Sequence, residues 1–215
     1  MRLLTIIIFA VAATATTSLS SLTHWTARAL IQQEDYEYSK DTSKYRIPAE
    51  RARGIIEARA RETLLAIKNR DTRKLSEIVH PQKGLRLSAY AWVDNEDRKL
   101  TREQVRNLFR RDRPSVWFRA DESGQSMRMT AREFFSKYIY DNDYLKASRV
   151  SYNTQHKRGI TIPNVLDFYP RAIVVEYYEP DPDPNQRGWD TLWLVFEQAG
   201  NSWHLVGIVK DTPTI

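Results

Sequence analysis

The chain contains no cysteine in its 215 residues. That absence excludes disulfides, thiolate metal sites, thiol redox chemistry and cysteine nucleophiles. It also excludes lipid attachment of the bacterial lipoprotein kind, which needs a cysteine behind the leader. Histidine is scarce: four are present, none three or four residues from another, so there is no zinc signature. Glycine is scarce too, and Ser123-Gly124 does not complete the G-x-S-x-G turn of a serine nucleophile. Asp141-Asn142-Asp143 and Asp181-x-Asp183 lack the glycine and distal glutamate of a calcium loop and read as acidic turns. No cofactor and no metal is expected.

Charge of one sign is not dominant. Lys and Arg number 33 against 27 Asp and Glu, a formal +6. Between residues 50 and 77, Arg51, Arg53, Arg59, Arg61, Lys68 and Arg70 are interleaved with Glu50, Glu57, Glu62 and Glu77. That pattern describes a solvated helix face with i,i+4 pairs, not a stripe that follows phosphates. The densest basic spot, Arg110-Arg111-Asp112-Arg113, reads as a helix end meeting a turn. With no nucleic-acid-reading motif beside it, no nucleic-acid partner is expected.

What is present begins at the N-terminus. Arg2 precedes an apolar run, Leu3 to Ala13, that is too short for an ordinary membrane span. Ala13-Thr14-Ala15 then supplies the small-x-small pattern of a signal-peptidase site. The expected organisation is a signal peptide over 1–15, a polar tether over 16–47 and one domain over 48–215. The alternative is an uncleaved anchor continuing through Leu22. The first reading places the protein outside the cytoplasm, secreted or periplasmic, with no membrane span after cleavage.

Pro48 suits a helix N-terminus, where its missing N–H costs nothing. Ile55, Ile56, Ala60, Leu64 and Ile67 follow at helical spacing. Asp71 is placed to cap a second helix that Pro81 ends. Leu85, Leu87, Ala89, Ala91 and Val93 then alternate with Arg86, Ser88, Tyr90 and Trp92, which predicts a nine-residue strand. Thr101-x-x-Gln104 and Thr130-x-x-Glu133 are capping boxes that open further helices. Between them, Val116–Phe118 and Ser126–Met129 predict a pair of short strands.

The last third is strand-rich: Arg149–Tyr152, Ala172–Tyr178, Leu192–Glu197 and Trp203–Lys210, with a turn over 199–202. Adjacent apolar pairs in the last three predict central strands covered on both faces. The run from Glu179 to Gly188 holds three prolines and is expected to be a long protruding connection. Segregated helices and strands make the fold class α+β, with N-terminal helices packed in the concavity of a curved antiparallel sheet.

His80-Pro81-x-x-Gly84, Ser88-x-Tyr90, Leu194-Val195-Phe196-Glu197 and the ending Trp203 to Asp211 with its terminal Thr-Ile carry a resemblance. Over about residues 49–215 the chain resembles the nuclear transport factor 2-like superfamily of cone-shaped domains, close to a group of exported bacterial proteins of unassigned activity. The resemblance implies a pocket between helices and sheet. It does not imply a chemistry, because that superfamily holds isomerases, dehydratases and polyketide cyclases beside non-enzymatic binding domains.

Five residues are candidates for the wall of such a pocket: Arg86, Ser88, Tyr90 and Trp92 from one side of the predicted strand, and Trp117. His80, a titratable group at a helix end, is the candidate for proton transfer, paired with a nearby carboxylate. Two functions stand on these residues. One is non-catalytic binding of a small ligand, or of an envelope or extracellular protein, through the pocket or a sheet face. The other is a small-molecule isomerase, dehydratase or hydrolase that uses His80. Trp189, Thr191, Trp193, Val195 and Glu197 would share one side of a strand; an exposed pair of tryptophans there would mark a homodimer interface, and the alternative is that they are core.

Overall fold

The computed structural model describes residues 46–110, 112–120, 123–156, 162–181 and 188–211. The expected signal peptide and nearly all of the expected tether lie outside them. Pro48 sits immediately before helix α1 (Ala49–Lys68), and the backbone N–H of Ala52 bonds its carbonyl at 2.8 Å. Ile56, Ala60, Leu64 and Ile67 are buried as their spacing predicts, while Ile55 lies off the stripe and is 38% exposed. Asp71 caps α2 (Thr72–Ile78) by accepting from the Lys74 N–H at 2.9 Å.

Strand β1 (Leu85–Ser88) is four residues long, not nine. It lies between β2 (Arg98–Leu100) and β8 (Ser202–Asp211), and that pairing ends at Ser88. Beyond it the backbone turns and finds a side-chain partner instead: Val93 donates its N–H to Asn164 Oδ1 at 2.7 Å and accepts from Nδ2 at 3.0 Å. Leu85, Leu87 and Ala89 belong to one core, and Ala91 and Val93 to a second core. The alternation in the sequence is therefore a short strand followed by a crossing from one face of the sheet to the other.

Both capping boxes form, before α3 (Arg102–Arg106) and α4 (Ala131–Phe134). The hairpin β3 (Ser115–Arg119) and β4 (Ser126–Met129) lies between them as a separate two-stranded sheet. A π-helical turn, Phe135–Ile139, continues α4. The hairpin is fixed by aromatic contacts: Trp117 stacks on Phe134 with centroids 4.3 Å apart, and Phe118 meets Tyr138 edge-on at 4.9 Å.

A 3₁₀ turn (Tyr144–Lys146) then leads to β5 (Arg149–Tyr152). After α5 (Val165–Phe168) come β6 (Ile173–Pro180), β7 (Trp189–Ala199) and β8. The six-stranded sheet has the order β2-β1-β8-β7-β6-β5. It is mixed rather than wholly antiparallel, because β1 runs parallel to β8. The long chain between them, which carries every intervening element, removes the hairpin constraint that forces neighbours antiparallel.

β6 runs through Glu179 to Pro180, which pairs with Trp189, and Asp181 donates its N–H to the Gly188 carbonyl at 3.0 Å. The expected connection of ten residues is thus shorter, because Pro180 is accepted at the last position of a strand. Of that connection, 182–187 lie outside the described residues.

α1 packs on β5 and β6. The first core joins α1, α2 and the hairpin region to Ile173, Val175, Leu194, Phe196 and Ile208, whereas the second holds Val174, Trp193, Val195 and Val209 against Val165, Leu166 and Tyr169. The central strands are therefore covered on both faces. Trp193 is fully buried and Trp189 half-buried, so of the two alternatives for β7 the structure gives core at Trp193 and no exposed tryptophan pair. Gly84 fixes the seam between β1 and β2. Its φ is +72°, and a Cβ there would stand 2.5 Å from the Leu100 carbonyl oxygen. Among the described residues no helix is long and apolar enough to cross a membrane.

Candidate functional site: a cleft between α1 and the sheet edge

Arg53, Glu57 and Arg61 are spaced by four, so one side of α1 presents them in a row. That row looks across at Tyr152 on β5, Tyr177 on β6, and Tyr144 and Leu145 in the 3₁₀ turn. Together with Leu64, Ala147 and Val150 they line an open cleft of about 310 Å³. This is near the lower end of the range for small-ligand sites. Arg53 pairs with Glu57 at 3.3 Å, and Arg61 makes no ion pair with a described residue.

The phenols of the cleft are held neutral. Burial raises Tyr177, and burial together with the Glu57 carboxylate raises Tyr152. Tyr144 is raised most, by burial and then by the Asp141 and Asp190 carboxylates. At neutral pH these side chains donate hydrogen bonds and do not act as bases.

Tyr144 also connects the cleft to a buried ionic cluster. Its hydroxyl donates to Asp141 Oδ1 at 2.9 Å and accepts from the Lys210 ammonium. Lys210 is 1% exposed and reaches Asp141 at 2.8 Å and Asp190 at 2.9 Å. A buried ammonium requires such partners, since desolvation without them costs several kcal/mol, of order 5. The acidic turn expected at 141–143 is engaged throughout: Asp143 accepts from Lys68 Nζ at 2.8 Å and from the Tyr140 hydroxyl at 2.7 Å. Among the described residues no group of three His, Asp or Glu is placed to hold a metal ion.

The structure separates the residues expected to form a pocket wall. Arg86 donates to the carbonyls of Asp94, Asn95 and Asp97, and its guanidinium lies 5.1 Å from the Phe168 ring centre. Ser88 donates to the Asp97 carboxylate, which burial raises above the usual carboxylate range. These two hold the 94–97 turn. Tyr90 meets Phe118 edge-on at 5.5 Å, and Trp117 is buried, donating Nε1–H to the Met129 carbonyl at 2.9 Å. Trp92 is 57% exposed. Arg86 and Ser88 are therefore together, Tyr90 and Trp117 belong to the hairpin cluster, and none of the five lines the cleft.

His80 does not line it either. Its ring is 5% exposed, and Nδ1 accepts the backbone N–H groups of Gln82 at 3.2 Å and Lys83 at 3.1 Å. Glu197, the carboxylate whose field reaches it, is paired with Lys83. His204 stands edge-on 5.9 Å away, with Arg102 Nη2 3.3 Å from its Nδ1.

Sequence reasoning missed the row on α1 because alternating charge describes any solvated helix. The four-residue spacing of Arg53, Glu57 and Arg61 was the available signal. A second buried charge, Glu176, met by His156 Nδ1 at 2.6 Å and Ser151 Oγ at 2.7 Å, had no signal at all, since its partners come from distant segments. Comparison with protein-family models, with curated proteins and with solved structures finds no match.

Proposed function

We propose that this chain is an exported, non-catalytic binding domain whose cleft between α1 and the β5–β6 edge takes a small anionic ligand with a planar body. The observation that carries this reading is Arg61, a cation on the cleft wall with no acidic partner among the described residues, facing phenols held neutral. A guanidinium donates two parallel hydrogen bonds to a carboxylate or phosphate, and tyrosine rings supply flat apolar walls. The position of the cleft, between helix and sheet, accords with the pocket that the nuclear transport factor 2-like resemblance implies. Export is supported by the Leu3–Ala13 run and the Ala13-Thr14-Ala15 pattern. Binding is favoured over proton transfer because His80, the residue on which an enzyme reading rests, lies off the cleft with its Nδ1 already committed.

The test is a thermal-shift and NMR screen of the full chain against aromatic, hydroxy and sugar carboxylates. A ligand of this site raises the unfolding midpoint by mass action. Loss of one charged hydrogen bond in Arg61→Gln is expected to weaken it by roughly 10- to 100-fold, while His80→Asn leaves it unchanged. Ligands indifferent to Arg61→Gln, or turnover of a ligand that depends on His80, would reject the proposal.

A further inference from the structure

The formal +6 of the chain is not spread over it. Residues 98–137 hold 11 of the 33 Lys and Arg but only 5 of the 27 Asp and Glu, and the remainder is balanced, 22 against 22. This segment is β2, α3, the β3–β4 hairpin and α4 with its π-turn. It folds onto itself: Arg98 donates to the Val116 carbonyl at 2.8 Å, Arg128 to the Pro114 carbonyl at 3.3 Å, and Arg132 to the Phe109 carbonyl at 3.5 Å. The described part of that surplus is therefore gathered in space as well as in sequence.

Lys99, Arg106, Arg110, Arg113, Arg119 and Arg128 are exposed. Among the described residues of the segment, one ion pair forms, Arg132 with Asp112 at 3.3 Å. Elsewhere the described ion pairs are more numerous: Arg46 with Asp167, Lys68 with Asp143, Lys74 with Glu62, Lys83 with Glu197, and Lys210 with Asp141 and Asp190. Unmatched like charges repel, and their field attracts an anionic partner.

We propose that the described residues within 98–137 form a docking surface for an anionic lipid bilayer. Apolar side chains share the surface with the cations. Val116, 40% exposed, is the cross-strand partner of Arg128, and half-buried Met127 lies opposite Phe118 on the same hairpin. Cations beside modest apolar area match the interfacial zone of a membrane. A surface for single-stranded nucleic acid would offer open ring faces for stacking. The rings here are turned inward, Trp117 onto Phe134 and Phe118 onto Tyr138, and Trp117 is further covered by Arg98 at 4.0 Å. The preference for a bilayer also rests on the export reading, in which the Leu3–Ala13 run brings the chain to a membrane. The cleft takes no part.

The experiment is co-sedimentation of the full chain with vesicles of phosphatidylcholine alone and of phosphatidylcholine mixed equally with phosphatidylglycerol. The apolar run contributes to both, so the readout is the excess for the anionic vesicles. That excess is expected to fall on the order of a hundredfold in Arg110→Gln/Arg113→Gln/Arg119→Gln, ~fivefold per charge. It is expected to survive in Arg51→Gln/Arg73→Gln/Arg171→Gln, which removes three exposed cations from the balanced part. Unfolding midpoints of both triple variants confirm that each is folded. No excess for anionic vesicles, or equal losses in the two variants, overturns the proposal. Competition by duplex DNA at lower phosphate concentration than vesicles makes the surface one for nucleic acid. Competition by glycerol phosphate as effective as the vesicles makes it a site for free phosphate. Either result also rejects the bilayer, and neither touches the cleft, whose ligand is read by Arg61→Gln.

Discussion

Two neighbouring parts of this protein handle charge in opposite ways. On the sheet, Lys210 is sealed from solvent and answered by Asp141, Asp190 and the Tyr144 hydroxyl, and Glu176 is sealed and answered by His156 and Ser151. In the segment 98–137 most of the described cations are exposed, and a single described ion pair forms, Arg132 with Asp112. Charge in the first part holds the fold together, because a buried ion without its partner is expensive. Charge in the second part is free to meet something else, since exposed ions contribute little to stability.

The largest expected effect breaks the first side of that contrast. Lys210→Met leaves Asp141 and Asp190 facing each other without their cation and is expected to cost about 3 kcal/mol, read from urea denaturation. A loss near zero would mean that the cluster is solvated and the contrast overstated. Next is the seam. Gly84→Ala places a Cβ against the Leu100 carbonyl at a positive φ and is expected to cost about 2 kcal/mol, loosening β2 and the segment behind it from β1.

The third prediction is a pH effect at the same seam. Burial lowers both His80 and His204, with Lys83 and Arg102 adding to the effect at His80 and Arg102 and Arg59 at His204. Glu197 opposes it at His80, and the Ile78 carbonyl opposes it at His204. Each Nδ1 faces a donor, so protonation replaces hydrogen bonds with repulsion. The unfolded chain takes up protons first. Stability is therefore full above the ordinary histidine range near 6.5 and falls as pH drops through it, until the folded rings protonate as well. His80→Asn keeps an acceptor for the two N–H groups without titrating, and is expected to flatten part of that slope. The smallest effect sharpens the other side: Arg113→Gln with Arg119→Gln is expected to change stability by less than about 0.5 kcal/mol.

Local signals in the sequence match the local structure. Asp71, Thr101 and Thr130 cap the helices their spacing announces, and β4 and β5 keep the predicted limits. Doubled apolar residues at Val174-Val175 and Leu194-Val195 correctly signal strands covered on both faces. What failed was non-local. Period two continues from Leu85 to Val93, yet the strand stops at Ser88, where its pairing partners end and Asn164, far along the chain, captures Val93. Nothing near residue 85 indicates that β8 lies beside it in parallel. The site was less legible still. Arg86, Ser88, Tyr90 and Trp117 carry the polarity and aromatic character of a pocket wall, but they spend it on the 94–97 turn and on the hairpin. In the sequence Lys210 is only the last residue of a predicted strand, and its partners Asp141 and Asp190 come from other elements.

Backbone hydrogen exchange of the full chain, with and without anionic vesicles, tests the division of labour most directly. The account predicts slowed exchange confined to amides within residues 98–137, strongest along the β3–β4 hairpin, with α1, β6 and β7 unchanged. Protection spread evenly over the domain, or centred on the balanced sheet region, would contradict it.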